Sequence, residues 1–164
     1  MLIPFNKMPD CARVWVYQAN KKLPDLEVRK IQQILEDQIN NWAAHGTDLA
    51  GSVQVLHNRF VIVAVDELQN QVSGCSIDAS TRWLKDIGAE MEIDFFDRSV
   101  VFLQNNELQT AEINKIKSLI TDNILTPDTQ IFNNLVSNIK EFKNNWNVKA
   151  SNSWMKRHFH TATV

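Results

Sequence analysis

The chain has few cysteines and no excess of charge of either sign. Its 164 residues include only two cysteines, Cys11 and Cys75, so a disulfide framework is excluded and we expect both to be thiols. Seventeen lysines and arginines against 19 aspartates and glutamates give a net charge of −2. Because this balance provides no field that would attract a polyanion, we expect no nucleic-acid partner.

Long apolar runs, low-complexity tracts and internal repeats are also missing. No apolar run approaches the roughly 18 residues of a membrane-spanning helix, and residues 1–7 lack the apolar region of a signal peptide. We therefore expect a cytoplasmic protein without a membrane span. The hydrophobic content of 44% suffices for a well-buried domain, which argues against a disordered chain.

The sequence begins with a predicted strand and a predicted helix. Residues 12–19 alternate valines with aromatic residues, which is typical of a strand. After Pro24, apolar residues recur at helical spacing and predict a helix that stops at His45-Gly46. The apolar positions of this helix are Val28, Ile31, Leu35, Ile39 and Trp42.

A hairpin and a second helix follow. Residues 52–56 and 59–65 predict two strands joined at His57-Asn58, because asparagine tolerates the left-handed backbone of a tight turn. Ser76 then fits the N-cap of a second helix. The apolar positions of that helix are Trp83, Leu84, Ile87 and Met91.

A predicted strand at residues 95–103 completes an α+β fold. The order strand, helix, strand, strand, helix, strand predicts a ferredoxin-like split β-α-β-β-α-β sheet over residues 1–106, with spatial order 4-1-3-2. Three of these strands are apolar on both faces, so the second face of the sheet must be covered. Either residues 107–164 or another subunit can supply the cover.

The C-terminal residues 107–164 are predicted to be a mainly helical extension packed on this core as a single compact unit. Thr110 fits the cap of one helix, and residues 126–128 restart the chain before another. The apolar positions are Ile113, Ile116, Ile120 and Ile124, then Phe132, Leu135, Ile139, Phe142 and Trp146. Residues 129–133 fit a short strand equally well.

In the predicted topology, several distant segments meet at one end of the sheet. They are Cys11, Arg13, His45, Ser52, the loop of residues 66–78, and Gln104 with Asn105. Cys75 near a helix start is a candidate nucleophile, because helix-end amides stabilise a thiolate, and His45 is its candidate base. The candidate ligand-binding residues are Asp66, Glu67, Ser76 and Asp78.

The same residues also fit purely structural roles. Cys75 can be a small buried hydrophobe, Ser76 a helix cap and His45 a helix-end residue that complements the dipole. Cys11, His45, Asp66 and Cys75 are acceptable zinc ligands, but the chain has no Cys-x-x-Cys or His-x-x-x-His spacing. We therefore expect neither a metal nor another cofactor.

Residues 61–67 resemble a Walker B strand, four or more apolar residues followed by Asp66 and Glu67. The nearest approach to a phosphate-binding loop is residues 46–53, where Ser52 replaces the required lysine and Val53 the magnesium-binding hydroxyl. This segment also joins a helix to a strand, whereas a P-loop joins a strand to a helix. The sequence therefore argues against ATP hydrolysis.

Residues 146–159 are basic and aromatic. Such a segment can stack nucleic-acid bases or lie on a membrane surface. More commonly its tryptophans pack in the interior while its lysines stay in solvent, and we expect packing here.

The whole chain resembles a family of short bacterial proteins labelled "ABC transporter ATPase". The matching stretches are ARVWVYQAN, NNWAAHG, NRFVIVAVDE, SGCSID, IDFFDRSVVF, TPDTQIFNNLV and the segment from Trp146 to Trp154. The chain departs from the family pattern at Lys149, where the family has a proline. The label implies ATP hydrolysis, which conflicts with the missing lysine.

From these patterns we expect a cytoplasmic module that binds a small molecule or a protein, or regulates one. One alternative is a thiol-dependent enzyme with Cys75 as nucleophile. Another is a structural homodimer whose sheet faces meet. Both a monomer and a homodimer remain open.

Overall fold

The computed structural model describes residues 1–44, 46–66 and 74–159, without the side chains of residues 44 and 74–77. It shows an α+β chain with two compact units. One is Met1–Asp97 with Ser137–Lys140, and the other is Arg98–Val136 with Glu141–Val164. No helix within the described ranges combines the length and apolar character needed to cross a membrane.

The first unit contains a three-stranded antiparallel sheet with β5 in the centre. Its elements are β1 (Arg13–Gln18), α1 (Asp25–Asn40), β2 (Ala43–Ala44), β3 (Thr47–Asp48), β4 (Gly51–Leu56), β5 (Phe60–Val65) and α2 (Gly74–Met91). The order β1-β5-β4 confirms the predicted order of the first three strands. His57 and Asn58 have φ angles of 55° and 53°, as the predicted hairpin turn requires.

Both faces of β5 are buried. The α1 positions Ile31, Leu35 and Ile39 form a core with the strands and with α2, as their helical spacing predicted. On the opposite face of β5, Ile62 and Ala64 are also fully buried. This burial explains why the strand is apolar at every position.

The end of α1 differs from the prediction. The helix ends at Asn40, before the predicted stop at His45-Gly46. The Asn41 N–H and side chain both donate to helix carbonyls, which closes the last turn. Trp42 lies outside the helix but is only 4% exposed, which accounts for its place in the helical pattern. Gly46, with φ of 77°, instead lies in the turn between β2 and β3.

The outer edge of β4 is covered twice. Ile3 donates its N–H to the Gly51 carbonyl oxygen at 2.8 Å. Further along, the Gln32 side chain donates to the Val53 carbonyl oxygen at 3.2 Å and accepts from the Val55 N–H at 3.1 Å. Gln32 therefore occupies hydrogen-bonding positions that a neighbouring strand would otherwise fill.

Two short segments cover the outer edge of β1. At one end, Gln18 donates its N–H to Phe95 at 3.0 Å and accepts from Asp97 at 3.2 Å. At the other end, the Val14 N–H donates to the Ser137 carbonyl oxygen at 3.0 Å, and Asn138 bridges β1 antiparallel.

The predicted fourth strand at residues 95–103 is therefore wrong in its first half and in its sheet partners, since only Val100–Gln104 forms a strand and it lies in another sheet. The ferredoxin-like arrangement is not confirmed. Of residues 95–103, only Phe96 bridges β1, and it does so in parallel. The Asp94 carboxylate accepts the Phe96 N–H at 2.8 Å, a local turn that bends the chain. The apolar residues from Val100 onward pair in the other sheet.

The second unit contains a four-stranded antiparallel sheet of order β7-β6-β8-β9. Its elements are β6 (Val100–Gln104), β7 (Glu107–Ala111), α3 (Ile116–Thr121), β8 (Gln130–Phe132), α4 (Ile139–Asn145), β9 (Asn147–Lys149) and α5 (Lys156–Phe159). The first residues of α4, Ile139 and Lys140, belong to the first unit.

This sheet adds three strands, β7, β8 and β9, to residues 107–164, which were predicted to be mainly helical. Thr110 does not cap a helix but pairs with Val101 in the β6–β7 ladder. Phe132 lies in β8, so the alternative of a strand within residues 129–133 is confirmed. The apolar positions of the predicted helix from Phe132 to Trp146 therefore lie in separate elements, among them β8 and α4. Leu135, between these two elements, is 73% exposed.

The aromatic residues near the C-terminus pack as expected. Trp146 is 6% exposed and stacks on Phe142 with ring centroids 4.8 Å apart. Its indole N–H donates to the Asn134 side-chain oxygen at 3.0 Å. Met155 is fully buried in the core of this unit. Trp146 and Met155 of this segment therefore pack in the interior of the second unit.

Candidate functional site

The strand register brings three of the predicted segments together at one end of the first sheet, those that include Arg13, Ser52 and Asp66. Val65 pairs with Arg13 on one side and with Gly51 on the other. The starts of β1 and β4 therefore meet the end of β5. Asp66 follows directly, half-buried, and its N–H donates to the Ala50 carbonyl oxygen at 2.9 Å.

The remaining predicted residues are located only in part. Asp78 is exposed on α2. Cys75 is the second residue of α2, so its predicted position at a helix start is confirmed. Ser76 is the third residue of the same helix, so the prediction that it caps the helix is wrong. The side chains of Cys75 and Ser76, and all of His45 and Glu67, lie outside the described residues.

The β1 side of this end carries an exposed thiol and a stacked cation. Cys11 is an exposed free cysteine. The Arg13 guanidinium lies 5.3 Å from the ring centroid of Trp15, a distance typical of a cation–π contact. Within the described ranges no group of three or more His, Cys, Asp or Glu side chains is arranged to hold a metal ion. Gln104 and Asn105 belong to the second unit.

The segment that resembles a phosphate-binding loop, residues 46–53, forms parts of two strands. Its first half is the β2–β3 turn and β3, and its second half enters β4. Ser52, at the position of the required lysine, is only 2% exposed. The segment leads into a strand, whereas a P-loop leads into a helix whose N-terminal amides face the phosphates.

A groove that the sequence did not predict lies beside the start of β4. Its volume is about 610 Å³, and it is lined by Leu2, Ile3, Pro4, Phe5, Asn6, Glu36, Ser52, Val53 and Gln54. The N-terminal segment pairs with β4 at Gly51 and then leaves it at Pro4, which has no N–H to continue the pairing. Pro4 after two apolar residues is the only sequence signal of this divergence.

The lining of the groove combines an apolar surface with a few polar groups. Leu2, Ile3 and Phe5 supply the apolar side. Glu36 is half-buried and accepts a hydrogen bond from the Gln32 side chain at 2.7 Å. A carboxylate beside an apolar wall can hold a molecule that has both an apolar body and a positively charged or hydrogen-donating end.

Ser52 links the groove to the predicted sheet end, since it lines the groove and follows Gly51 in β4. The strand starts and the groove therefore share one end of the first unit. Comparisons with known proteins give no match: neither a protein-family model nor a curated protein nor a solved structure matches this chain.

Proposed function

We propose that the protein is a cytoplasmic binding module that holds a small molecule in the groove beside β4. The observation that carries this proposal is the groove itself, with a volume of about 610 Å³. Small-molecule sites typically measure about 300 to 1,000 Å³ and combine an apolar lining with a few polar groups. The groove has both properties.

The ligand class follows from the lining. Leu2, Ile3 and Phe5 favour an apolar body. Glu36 is the only charged residue of the lining, so it favours a cationic end and disfavours an anionic one. An amine with an aromatic or aliphatic body meets both requirements.

The test compares two probes of similar shape and opposite charge, phenethylamine and 3-phenylpropionate, by thermal unfolding. A ligand that binds only the folded chain raises its Tm. We expect phenethylamine to raise Tm and 3-phenylpropionate to leave it unchanged. Glu36→Gln should abolish the shift, whereas Glu90→Gln, an exposed glutamate on α2, should keep it.

Two results would contradict this assignment. One is a Tm that neither probe changes at millimolar concentration. The other is an equal shift in the wild type and in the Glu36→Gln variant, since binding would then not involve the groove carboxylate.

ATP hydrolysis is not part of the proposal, although the chain resembles bacterial proteins labelled as ATPases. Ser52 stands where a phosphate-binding lysine would be required and is buried in β4. Addition of ATP with Mg²⁺ should therefore release no phosphate above the level of a protein-free sample.

A thiol-dependent enzyme is a second candidate, favoured by the position of Cys75 in the first turn of α2. Helix-start amides lower the pKa of a thiol and so raise its reactivity below neutral pH. The test follows alkylation of Cys75 against pH in a Cys11→Ser variant, with a peptide of residues 71–79 as reference. Equal pH profiles for protein and peptide would remove this candidate.

The face-to-face homodimer receives no support from burial. That alternative required an apolar sheet face left open in the single chain. Ile62 and Ala64 on the second face of β5 are already fully buried within one chain.

A further inference from the structure

The outer edge of β7 differs from both edges of the first sheet. In the first sheet, the N-terminal segment and Gln32 cover the edge of β4, and residues 95–97 and 137–139 cover the edge of β1. β7 pairs with β6 on one side only. Among the residues that the structure describes, none donates or accepts a hydrogen bond at the other side of β7.

The strand register shows which backbone groups point outward. The loop between β6 and β7 is Asn105-Asn106, with φ angles of 54° and 63°. Such a two-residue loop closes on a hydrogen-bonded pair, here one that includes Glu107, and hydrogen-bonded pairs then alternate along the ladder. The N–H and C=O groups of Leu108 and Thr110 therefore point away from β6.

β7 has only one of the features that protect exposed edge strands, a charged residue at its first position. Natural edge strands are short, or carry charged side chains (above all lysine), proline or a bulge. β7 pairs regularly along all five residues and contains neither lysine nor proline. The opposite edge strand, β9, has only three residues, one of them Lys149. β7 is therefore the edge of this sheet best suited to accept another strand.

We propose that β7 pairs antiparallel with β7 of a second copy of this chain. The two-fold axis passes beside Gln109, and Leu108 lies opposite Thr110 of the partner subunit. This register uses all outward groups of Leu108 and Thr110 on both strands, which makes about four backbone hydrogen bonds. The two four-stranded sheets then continue as one sheet.

The charges of β7 favour a second copy as the occupant. Glu107 is its only charged residue, and in this register it lies opposite Ala111 of the partner subunit. No like charges are paired, which would otherwise destabilise the contact. A register shifted towards the Asn105-Asn106 loop would lose pairing, because the backbone there is left-handed. This edge-to-edge dimer leaves the sheet faces untouched and is independent of the groove.

The first test measures molecular mass by sedimentation equilibrium. A single strand pair is a small interface, so we expect a Kd of about 10 to 100 μM. The apparent mass should rise from 18.9 kDa towards twice that value as concentration increases. Thr110→Lys should raise the Kd at least about tenfold, because a lysine on the edge opposes pairing. Thr121→Lys, the same change at the exposed end of α3, should leave it unchanged.

The second test fixes the register by cross-linking. In a variant with Cys11 and Cys75 replaced by serine, Gln109→Cys should form a disulfide dimer on oxidation, since the two positions face each other across the axis. Thr110→Cys should not, because its copies lie about 7 to 8 Å apart along the diagonal.

Three outcomes would overturn the dimer. The chain could remain monomeric at about ten times the upper expected Kd of 100 μM. A dimer could form equally well with Thr110→Lys. Finally, Thr110→Cys could cross-link as fast as Gln109→Cys, which would show a different register. Circular dichroism of each variant separates loss of pairing from loss of folding.

Discussion

The N–H of Ile93 donates a hydrogen bond to the carbonyl oxygen of Gly88 at 3.0 Å and closes the C-terminal end of α2. A Cβ on residue 88 would overlap the Ile93 carbonyl oxygen. From helix propensity alone, glycine at this position weakens the helix, but the close approach requires it. We expect Gly88→Ala to lower the free energy of unfolding by about 1 to 3 kcal/mol, measured by urea denaturation.

The sign of this change is the test. In an unconstrained helix, glycine to alanine raises stability by up to about 1 kcal/mol. Ala89→Gly, at the exposed neighbouring position, is the control and should cost about 1 kcal/mol. A stability gain in Gly88→Ala would show that the chain end relaxes away from the helix.

Glu92 sits in the same helix end with a φ of 58°, a conformation that favours glycine. We expect Glu92→Gly to raise the free energy of unfolding by about 0.5 to 1 kcal/mol, because relief of the left-handed strain exceeds the entropy cost of glycine. Glu90→Gly, inside the helix, should instead lower it by about 1 kcal/mol. Equal losses in both variants would refute the strain argument.

Gln32 protects the edge of β4 through its side-chain amide. Gln32→Ala leaves the Val53 carbonyl and the Val55 N–H without this partner, and we expect a loss of about 1 to 3 kcal/mol in urea denaturation. Gln33→Ala removes only an exposed contact with Asp37 and should cost less than about 0.5 kcal/mol. Similar values for the two variants would mean that water replaces the Gln32 amide without cost.

His158 makes stability depend on pH. Partial burial, together with the positive charges of Arg157 and Lys117, lowers the pKa of its imidazole. Its Nε2 atom is buried and has no hydrogen-bond partner among the residues that the structure describes. The unfolded chain therefore takes up the proton at a higher pH than the folded chain does, so this contribution is present at neutral pH and lost as the pH falls below about 6.5.

We expect the free energy of unfolding to fall less steeply between about pH 7 and pH 5 in His158→Phe than in the wild type. Urea denaturation across this range measures both slopes. His57→Phe is the control that shows whether replacement of any histidine reduces this pH slope of the free energy of unfolding. Identical slopes in the wild type and in His158→Phe would contradict the shift.

Local signals in the sequence were sufficient for the β4–β5 hairpin turn and the first three strands. His57-Asn58 predicted the hairpin because asparagine accepts the left-handed backbone found there. The helical spacing of Ile31, Leu35 and Ile39 predicted the buried face of α1. These features depend on neighbours in the chain, which sequence patterns report directly.

The errors arose where distant segments decide the structure. The apolar residues 95–103 predicted one strand, but the chain divides between the two units after Asp97: Phe96 bridges β1, whereas the residues from Val100 onward pair in the other sheet. The cover of β1 by residues 137–139 is a pairing across the chain with no local pattern.

The candidate site shows the same division between local and distant signals. Val65 pairs with both Arg13 and Gly51, and this meeting of strand ends could be predicted because it follows from the strand order alone. The groove was missed because it depends on the pairing of Ile3 with Gly51, which lies far along the chain. Pro4, which ends the pairing with β4, is the only local sign of the groove in the sequence.

Ser137–Lys140 belong to the first unit, although in the sequence they follow Arg98–Val136 of the second unit. A ribosome that has released Met1–Asp97 has therefore not yet supplied the partner of Val14 and Ala12. Until residue 139 has been synthesised, the backbone groups of Ala12 and Val14 lack these partners, and an unpaired strand edge can pair with another chain. The edge of β1 at Val14 is therefore protected only after the chain has been synthesised as far as residues 137–139.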